Sequence, residues 1–152
     1  MEIWKEIKGY EGLYEVSSEG RVRSLDRIVY DKLRGCTKSL KGKVLVNRKG
    51  QHYYEVNLCK NGVRKQFYVH RLVAEHFISN PENKPEVDHI NTDYFDNRVE
   101  NLRFATHKEN MNNPISVSKQ IGKKITEETK KRIADAIKGK HWKNIQGKRV
   151  WY

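Results

Sequence analysis

Residues 87–110 read VDHINTDYFDNRVENLRFATHKEN, and the way extended, polar and helix-starting residues follow one another there decides the fold. Leu102 to Ala105 form a short apolar, strand-like run opened by Asn101, and Thr106 with Glu109 makes the T-x-x-E capping box that starts a helix. The segment therefore predicts strand, long polar loop, strand and helix. Asp88 is a hard oxygen ligand for a divalent cation, and His89 can take a proton from water near neutral pH. Adjacent side chains of an extended strand point to opposite faces, so this pair serves one site only at a bent or twisted strand end. Asn110 falls just inside the expected helix, positioned to reach back toward Asp88. Taken singly these residues are ordinary: Asp88 can cap a turn, Asn91, Asn97 and Asn101 suit a loop, and His89 can be structural. Their joint order is specific.

That order resembles the HNH nuclease family, whose ββα-metal motif carries an acid–His pair on its first strand, a middle Asn and a final His or Asn on the helix. The flanking letters D-H, N-x-x-x-N-L-R-F and E-N match as well, and H-R-L-V-A-x-x-F at residues 70–77 is a further point of likeness. The resemblance is to the homing type, of phage or intron origin. It implies that Asp88 and Asn110 hold one Mg²⁺ or Mn²⁺ ion, that His89 activates the attacking water and that Asn101 orients the His89 ring. It also implies hydrolysis of a DNA phosphodiester to 5′-phosphate and 3′-hydroxyl ends. One site per chain implies nicking of one strand unless two chains act together, and a monomer is expected. Arg103 is a candidate phosphate contact, although its strand position equally allows a structural salt bridge.

Composition sets limits consistent with this. The 152 residues hold 31 Lys and Arg against 19 Asp and Glu, a net charge of +12 that points to an anionic partner, with duplex DNA the natural candidate. Residues 114–152 hold 11 basic against 3 acidic residues, whereas residues 51–100 hold 6 against 8, as expected if carboxylates there attract a cation while other segments hold phosphates. Nothing approaches the ~20 apolar residues of a membrane span, and the start, MEIWKEIKGY, has no apolar signal-peptide region. Cys36 and Cys59 are isolated, with no C-x-x-C pair, so neither structural zinc nor a disulfide is expected. The expected compartment is the cytoplasm of a bacterial or phage-infected cell, with no membrane partner and no small-molecule cofactor.

Working outward, W-K-E-I-K-G-Y-E-G-L-Y-E-V-S-S-E-G-R-V-R-S-L resembles a nuclease-associated module over residues 1–27, with strands at Tyr14 to Ser17 and Arg21 to Leu25. Residues 26–43 read as a basic irregular loop. A hairpin with Asn61 and Gly62 at a type I′ turn pairs Val56 with Phe67 and Tyr54 with Val69, and Val44 to Asn47 can add a third strand. The opposite face carries Asn57, Arg64, Gln66 and Tyr68, chemistry suited to base edges in a major groove; a sheet with one wet face is the plainer alternative. His70 to Ile78 shifts to helical spacing, with His76 on the apolar stripe and His70 at the helix start. Pro114 is expected to end the catalytic helix. Beyond it, Thr126 to Gly139 suits a helix, and the tail resembles a short DNA-binding repeat whose Lys123, Lys124, Lys130, Lys131 and Arg132 would meet phosphates. The expected whole is a modular α+β chain: an N-terminal module over 1–27, a DNA-reading sheet over 28–69, a catalytic region over 70–113 and a basic tail over 114–152. A DNA-binding regulator with an inactive nuclease site is the alternative, opposed by the intact Asp88, His89 and Asn110.

Overall fold

The computed structural model describes residues 1–31, 33–121, 131, 142–145 and 148–151. The chain divides into two compact units, Met1–Val117 and Ser118–Tyr152. The first is α+β, built on small antiparallel sheets. Strands β1 (Trp4–Glu6), β2 (Tyr14–Ser17) and β3 (Val22–Ser24) form one sheet in the order β1-β2-β3. Residues expected as an irregular basic loop instead form a two-stranded ribbon, β4 (Arg27–Asp31) with β5 (Cys36–Leu40). The reason is local. Ile28, Val29 and Tyr30 favour extended backbone, Asp31 Oδ1 accepts from the amides of Leu33 and Arg34, and Gly35 supplies a positive φ of 63° for the turn.

The hairpin of β7 (Tyr54–Lys60) and β8 (Val63–Tyr68) turns on Asn61 and Gly62 at φ 53° and 79°, which fits a type I′ turn. Val56 pairs with Phe67 as the sequence suggests, but pairing ends at Glu55 with Tyr68 because Val69 already begins the helix α1 (Val69–Phe77). The added strand is β6 (Arg48–Lys49), displaced from the expected 44–47; Val44 makes only an isolated bridge to Arg23.

Strand β9 (Glu86–His89) pairs with β10 (Leu102–Ala105), which follows a 3₁₀ turn at Val99–Asn101. Helix α2 (His107–Met111) starts at Thr106 with the full capping box: Thr106 Oγ1 accepts from the Glu109 amide and Glu109 Oε2 from the Thr106 amide. Pro114 does not open a connector. It occupies the first turn of α3 (Pro114–Ile121), where a missing N–H costs nothing. In the second unit, β11 (Trp142–Ile145) pairs antiparallel with β12 (Lys148–Trp151).

One core serves the segments expected as separate modules over 1–27, 28–69 and 70–113. Ile7, Val16 and Val22 from the first sheet, Val56 and Leu58 from β7, Val69, Leu72 and Val73 from α1, and Leu102 from β10 form a single buried cluster. His76 fastens α1 to the N-terminus: its Nδ1 donates to Leu72 O at 2.7 Å, its Nε2 accepts from the Lys8 amide at 2.9 Å, and its carbonyl takes Lys5 Nζ at 2.8 Å. Because Leu58 lies in the middle of this shared core with no exposed surface, Leu58→Ala is expected to cost about 2–5 kcal/mol in urea unfolding. Val46→Ala, at a residue 91% exposed, is expected to stay within about 0.5 kcal/mol; comparable losses in both variants would show that the core does not lie where the structure puts it.

Candidate active site

β9 divides the chemistry between its two faces. Side chains two apart share a face, so Glu86 and Asp88 project to one side and Val87 and His89 to the other. The register sets Asp88 opposite Arg103 and Glu86 opposite Ala105.

On the acidic side, Arg103 Nε and Nη2 both donate to Asp88 Oδ2, at 2.9 and 2.7 Å. The fully buried Asn113 adds its amide, with Nδ2 at 3.1 Å from each Asp88 oxygen and close to the carbonyls of His89 and Ile90. Asn113 Oδ1 meanwhile accepts from the Ile115 amide at 3.1 Å, so one side chain caps α3 and holds Asp88. Asn110, read as positioned to reach back toward Asp88, donates its Nδ2 to Glu86 Oε2 at 2.6 Å. As the fourth of the five residues of α2, it meets the more N-terminal carboxylate of the same strand face. That bond, then the contact from His107 Nδ1 at 2.9 Å, holds the Glu86 carboxyl below its usual range. Glu86, Asp88 and the free end of the Asn110 amide, Oδ1, are hard oxygen donors of the kind Mg²⁺ and Mn²⁺ prefer. No three His, Cys, Asp or Glu side chains converge on one point among the described residues, so an ion here would complete its shell with amide, water and phosphate oxygens, as Mg²⁺ commonly does.

On the other side, His89 is 3% exposed and sits among rings: His70 with centroids 5.2 Å apart, Tyr94 at 5.8 Å and Tyr53 at 6.1 Å. Its Nε2 lies 3.1 Å from Asn97 Oδ1. An amide oxygen only accepts, so Nε2 carries the proton and Nδ1 presents the lone pair. Burial pushes the His89 pKa down, against the opposing pull of Asn97 and of the Asp88, Asp93 and Asp96 charges, so the ring is neutral at neutral pH.

Asn101 has a different task from the one expected. Its Oδ1 accepts from the Asn91 amide at 2.9 Å and its Nδ2 donates to Asp96 O at 2.8 Å, while its own carbonyl takes the Ile90 amide at 2.8 Å. These bonds close the polar loop on itself, and the loop then delivers Asn97 to the His89 ring. The orienting amide is therefore Asn97, four residues earlier. Asn97, Asn113 and the ring neighbours Tyr53 and Tyr94 are what sequence reasoning missed. An Asn directly before a Pro at a helix start is a signal that could have found Asn113, and N-x-x-x-N left Asn97 and Asn101 equally open.

Arg103 takes the structural salt bridge that its strand position allowed. Asn57, Arg64, Gln66 and Tyr68 lie exposed on one face of the β7–β8 hairpin. Tyr68 also stacks on His70 at 5.6 Å and meets Tyr53 at 5.6 Å, which ties that face to the His89 side of the site. Of the tail residues, Lys131 is helical and exposed; Lys123, Lys124, Lys130 and Arg132 lie outside the described residues.

The chain is similar to known proteins over much of its length. Residues 2–59 match the NUMOD4 motif, and residues 67–112 match the family model described as HNH endonuclease. DNA endonuclease I-HmuI of Bacillus phage SP01 is 39% identical over 74% of this chain, and an uncharacterized HNH endonuclease, L247, of Acanthamoeba polyphaga mimivirus is 38% identical over 96% of it. The chain spans 58% of the phage relative and 40% of the mimivirus one. A solved structure described as DNA binding and cleavage by the HNH homing endonuclease I-HmuI superposes with a TM-score of 0.63 at 32% identity, over 99% of this chain and 77% of that one.

His70 gives the site a pH signature. Burial first, then the His89 and Arg71 charges, pushes its pKa from 6.5 down to about 3, and its Nδ1 is buried with no hydrogen-bond partner among the described residues. Between those two pH values the unfolded chain binds a proton at this residue that the folded chain refuses, so stability falls as the solution is acidified through that window. Urea midpoints measured at a series of pH values are expected to slope down toward acid, and His70→Phe, which keeps a ring there, to flatten part of that slope. An identical slope in the variant would remove His70 as its source.

Proposed function

The chain belongs to the HNH homing endonuclease family, and from that premise we propose that it is a sequence-specific, divalent-metal-dependent DNA endonuclease. It hydrolyses one phosphodiester per site, leaving 5′-phosphate and 3′-hydroxyl ends, and as a monomer it nicks one strand. It acts in the cytoplasm of a bacterial or phage-infected cell. The observation that carries the proposal is the end of β9, where Asp88 and His89 are the last two strand residues and the chain turns at once with the Thr92 amide on the His89 carbonyl, setting a buried neutral imidazole with an oriented lone pair next to hard carboxylate oxygens.

In this mechanism His89 Nδ1 takes the proton of the attacking water, and Asn97 stabilises the resulting imidazolium by accepting from Nε2. Asp88 and Asn110 would hold a single Mg²⁺ or Mn²⁺, which when bound supplies charge stabilisation at the scissile phosphate and the departing oxygen. Asn101 keeps the loop closed so that Asn97 stays in place. Asn57, Arg64, Gln66 and Tyr68 offer side chains for base edges, and Lys123, Lys124, Lys130, Lys131 and Arg132 of the tail neutralise phosphates. Four modules would divide this work as 1–27, 28–69, 70–113 and 114–152, with no structural zinc. A DNA-binding regulator without cleavage is the competing reading, and the intact oxygen donors and imidazole speak against it.

Supercoiled plasmid carrying the target, incubated with Mg²⁺, is expected to convert to open circles, with His89→Ala slowing the conversion by roughly 10²–10⁴-fold. A shifted but unconverted band would favour the regulator. Because the His89 pKa is lowered from 6.5, the nicking rate is expected to be flat above that pH and to fall only below it as the base is protonated; an acid limb centred higher would contradict the buried neutral base.

A further inference from the structure

We propose that Arg103 is the resident counter-cation of Asp88, displaced when a divalent ion binds and thereby freed to hold a phosphate of the DNA strand, so that one side chain couples metal binding to DNA binding. This rests on the reading of Asp88 as a metal ligand.

The argument starts from occupancy at the carboxylate. Asp88 Oδ2 accepts from Arg103 Nε at 2.9 Å, from Arg103 Nη2 at 2.7 Å and from Asn113 Nδ2 at 3.1 Å, while Oδ1 accepts only from Asn113 among these. A carboxylate oxygen offers two lone pairs, so Oδ2 has none left to give an ion. Oδ1 keeps a lone pair, but an ion held through Oδ2 displaces one of its partners, and the two differ in their freedom to leave. Asn113 is 2% exposed and tied at the same time to the carbonyls of His89 and Ile90 and to the Ile115 amide. The Arg103 side chain is 43% exposed against 6% for Asp88. It can swing on its stem toward solvent at the price of one ion pair, and a dication arriving beside Oδ2 repels it.

The exchange also makes chemical sense. With neither metal nor DNA bound, a nearly buried carboxylate needs a positive partner, and a guanidinium supplies one with fork geometry. With the ion present that need is met, and the same planar fork fits a phosphate bidentately. Its strand position opposite Asp88 keeps it at the site throughout. Arg103 is thus a positioning residue in the metal-free state and a substrate contact in the loaded one.

Three measurements on the full chain without DNA test this, in buffer at about pH 8, well above the usual carboxylate range. Calorimetric titration with Mn²⁺ alone is expected to show Arg103→Met binding the ion roughly 5-fold or more tightly than the wild type, the lower end of ordinary site-to-site coupling. Equal or weaker binding in the variant overturns the proposal. On the wild type, which needs no variant to fold, the Arg103 Nε–H resonance is expected to shift and exchange faster with water as Mg²⁺ is added; an unchanged signal at saturating Mg²⁺ also overturns it. Asp88→Asn is expected to lose Mn²⁺ binding. If that variant binds Mn²⁺ as the wild type does, the metal reading itself fails; if it loses binding while Arg103→Met gains nothing, only the exchange fails.

Discussion

Antiparallel pairing of β9 with β10 is the constraint from which the rest of the site follows. With Leu102 opposite His89 and Arg103 opposite Asp88, the alternation of the strand assigns both carboxylates to one face and the imidazole to the other. A slip of one residue would exchange those faces, burying the acids among aromatic rings and turning His89 toward Arg103. Two features resist the slip. Leu102 and Ala105 lie buried at the two ends of β10, and the capping box at Thr106 starts α2 immediately after the strand, so that Asn110 and Asn113 fall where Glu86 and Asp88 can take their amides.

The base depends on parts of the chain that carry no chemistry of their own. Asn97 reaches His89 only because its loop is closed by Asn101, and that loop leans on the N-terminal hairpin. The Val99 amide donates to Ser18 O at 2.9 Å, and a Cβ on Gly20 would lie 2.8 Å from the Asn97 Cβ and 3.1 Å from its carbonyl oxygen. Gly20, at φ 78°, is required both by the turn and by this close approach. Asn47 Nδ2 then bonds Gly20 O at 2.9 Å, bringing in the segment that leads to β6. The N-terminal sheet thus shares more with the nuclease motif than a core: it is the wall against which the orienting amide is set.

What was legible in the sequence was whatever is decided within a few residues. The Asn-Gly turn, the capping box and the apolar stripe of α1 each follow from local rules, and all three are present. The assignment of amides was not legible, because Asn91, Asn97, Asn101, Asn110 and Asn113 have the same chemistry, and which one faces His89 or Asp88 depends on how the loop closes in three dimensions. The β4–β5 ribbon was hidden for a different reason. Its lysines and arginines read as a solvated run, yet an extended ribbon keeps such side chains exposed, so charge did not argue against strand. Pro114 suggests a stop, yet its position one residue after an Asn also fits a start. The sequence position of His70, at the end of one hairpin, gives no hint that its ring centroid lies 5.2 Å from that of His89.

That proximity bears on how the base works. Two imidazoles so close, one of them 5% exposed, cannot both be charged at moderate cost. His70 therefore stays neutral and adds to the low-polarity wall made with Tyr53 and Tyr94, and burial becomes the largest influence on His89. Alone, that wall would depress the His89 pKa and weaken it as a base. The Asn97 oxygen and the charges of Asp88, Asp93 and Asp96 pull the other way, so the depression is limited. A general base is most effective when it is free to accept a proton at the working pH and not much weaker than that requires. Aromatic burial from the β7–β8 hairpin region and α1, set against Asp88 of the strand and the acids of the loop that follows it, produces that compromise.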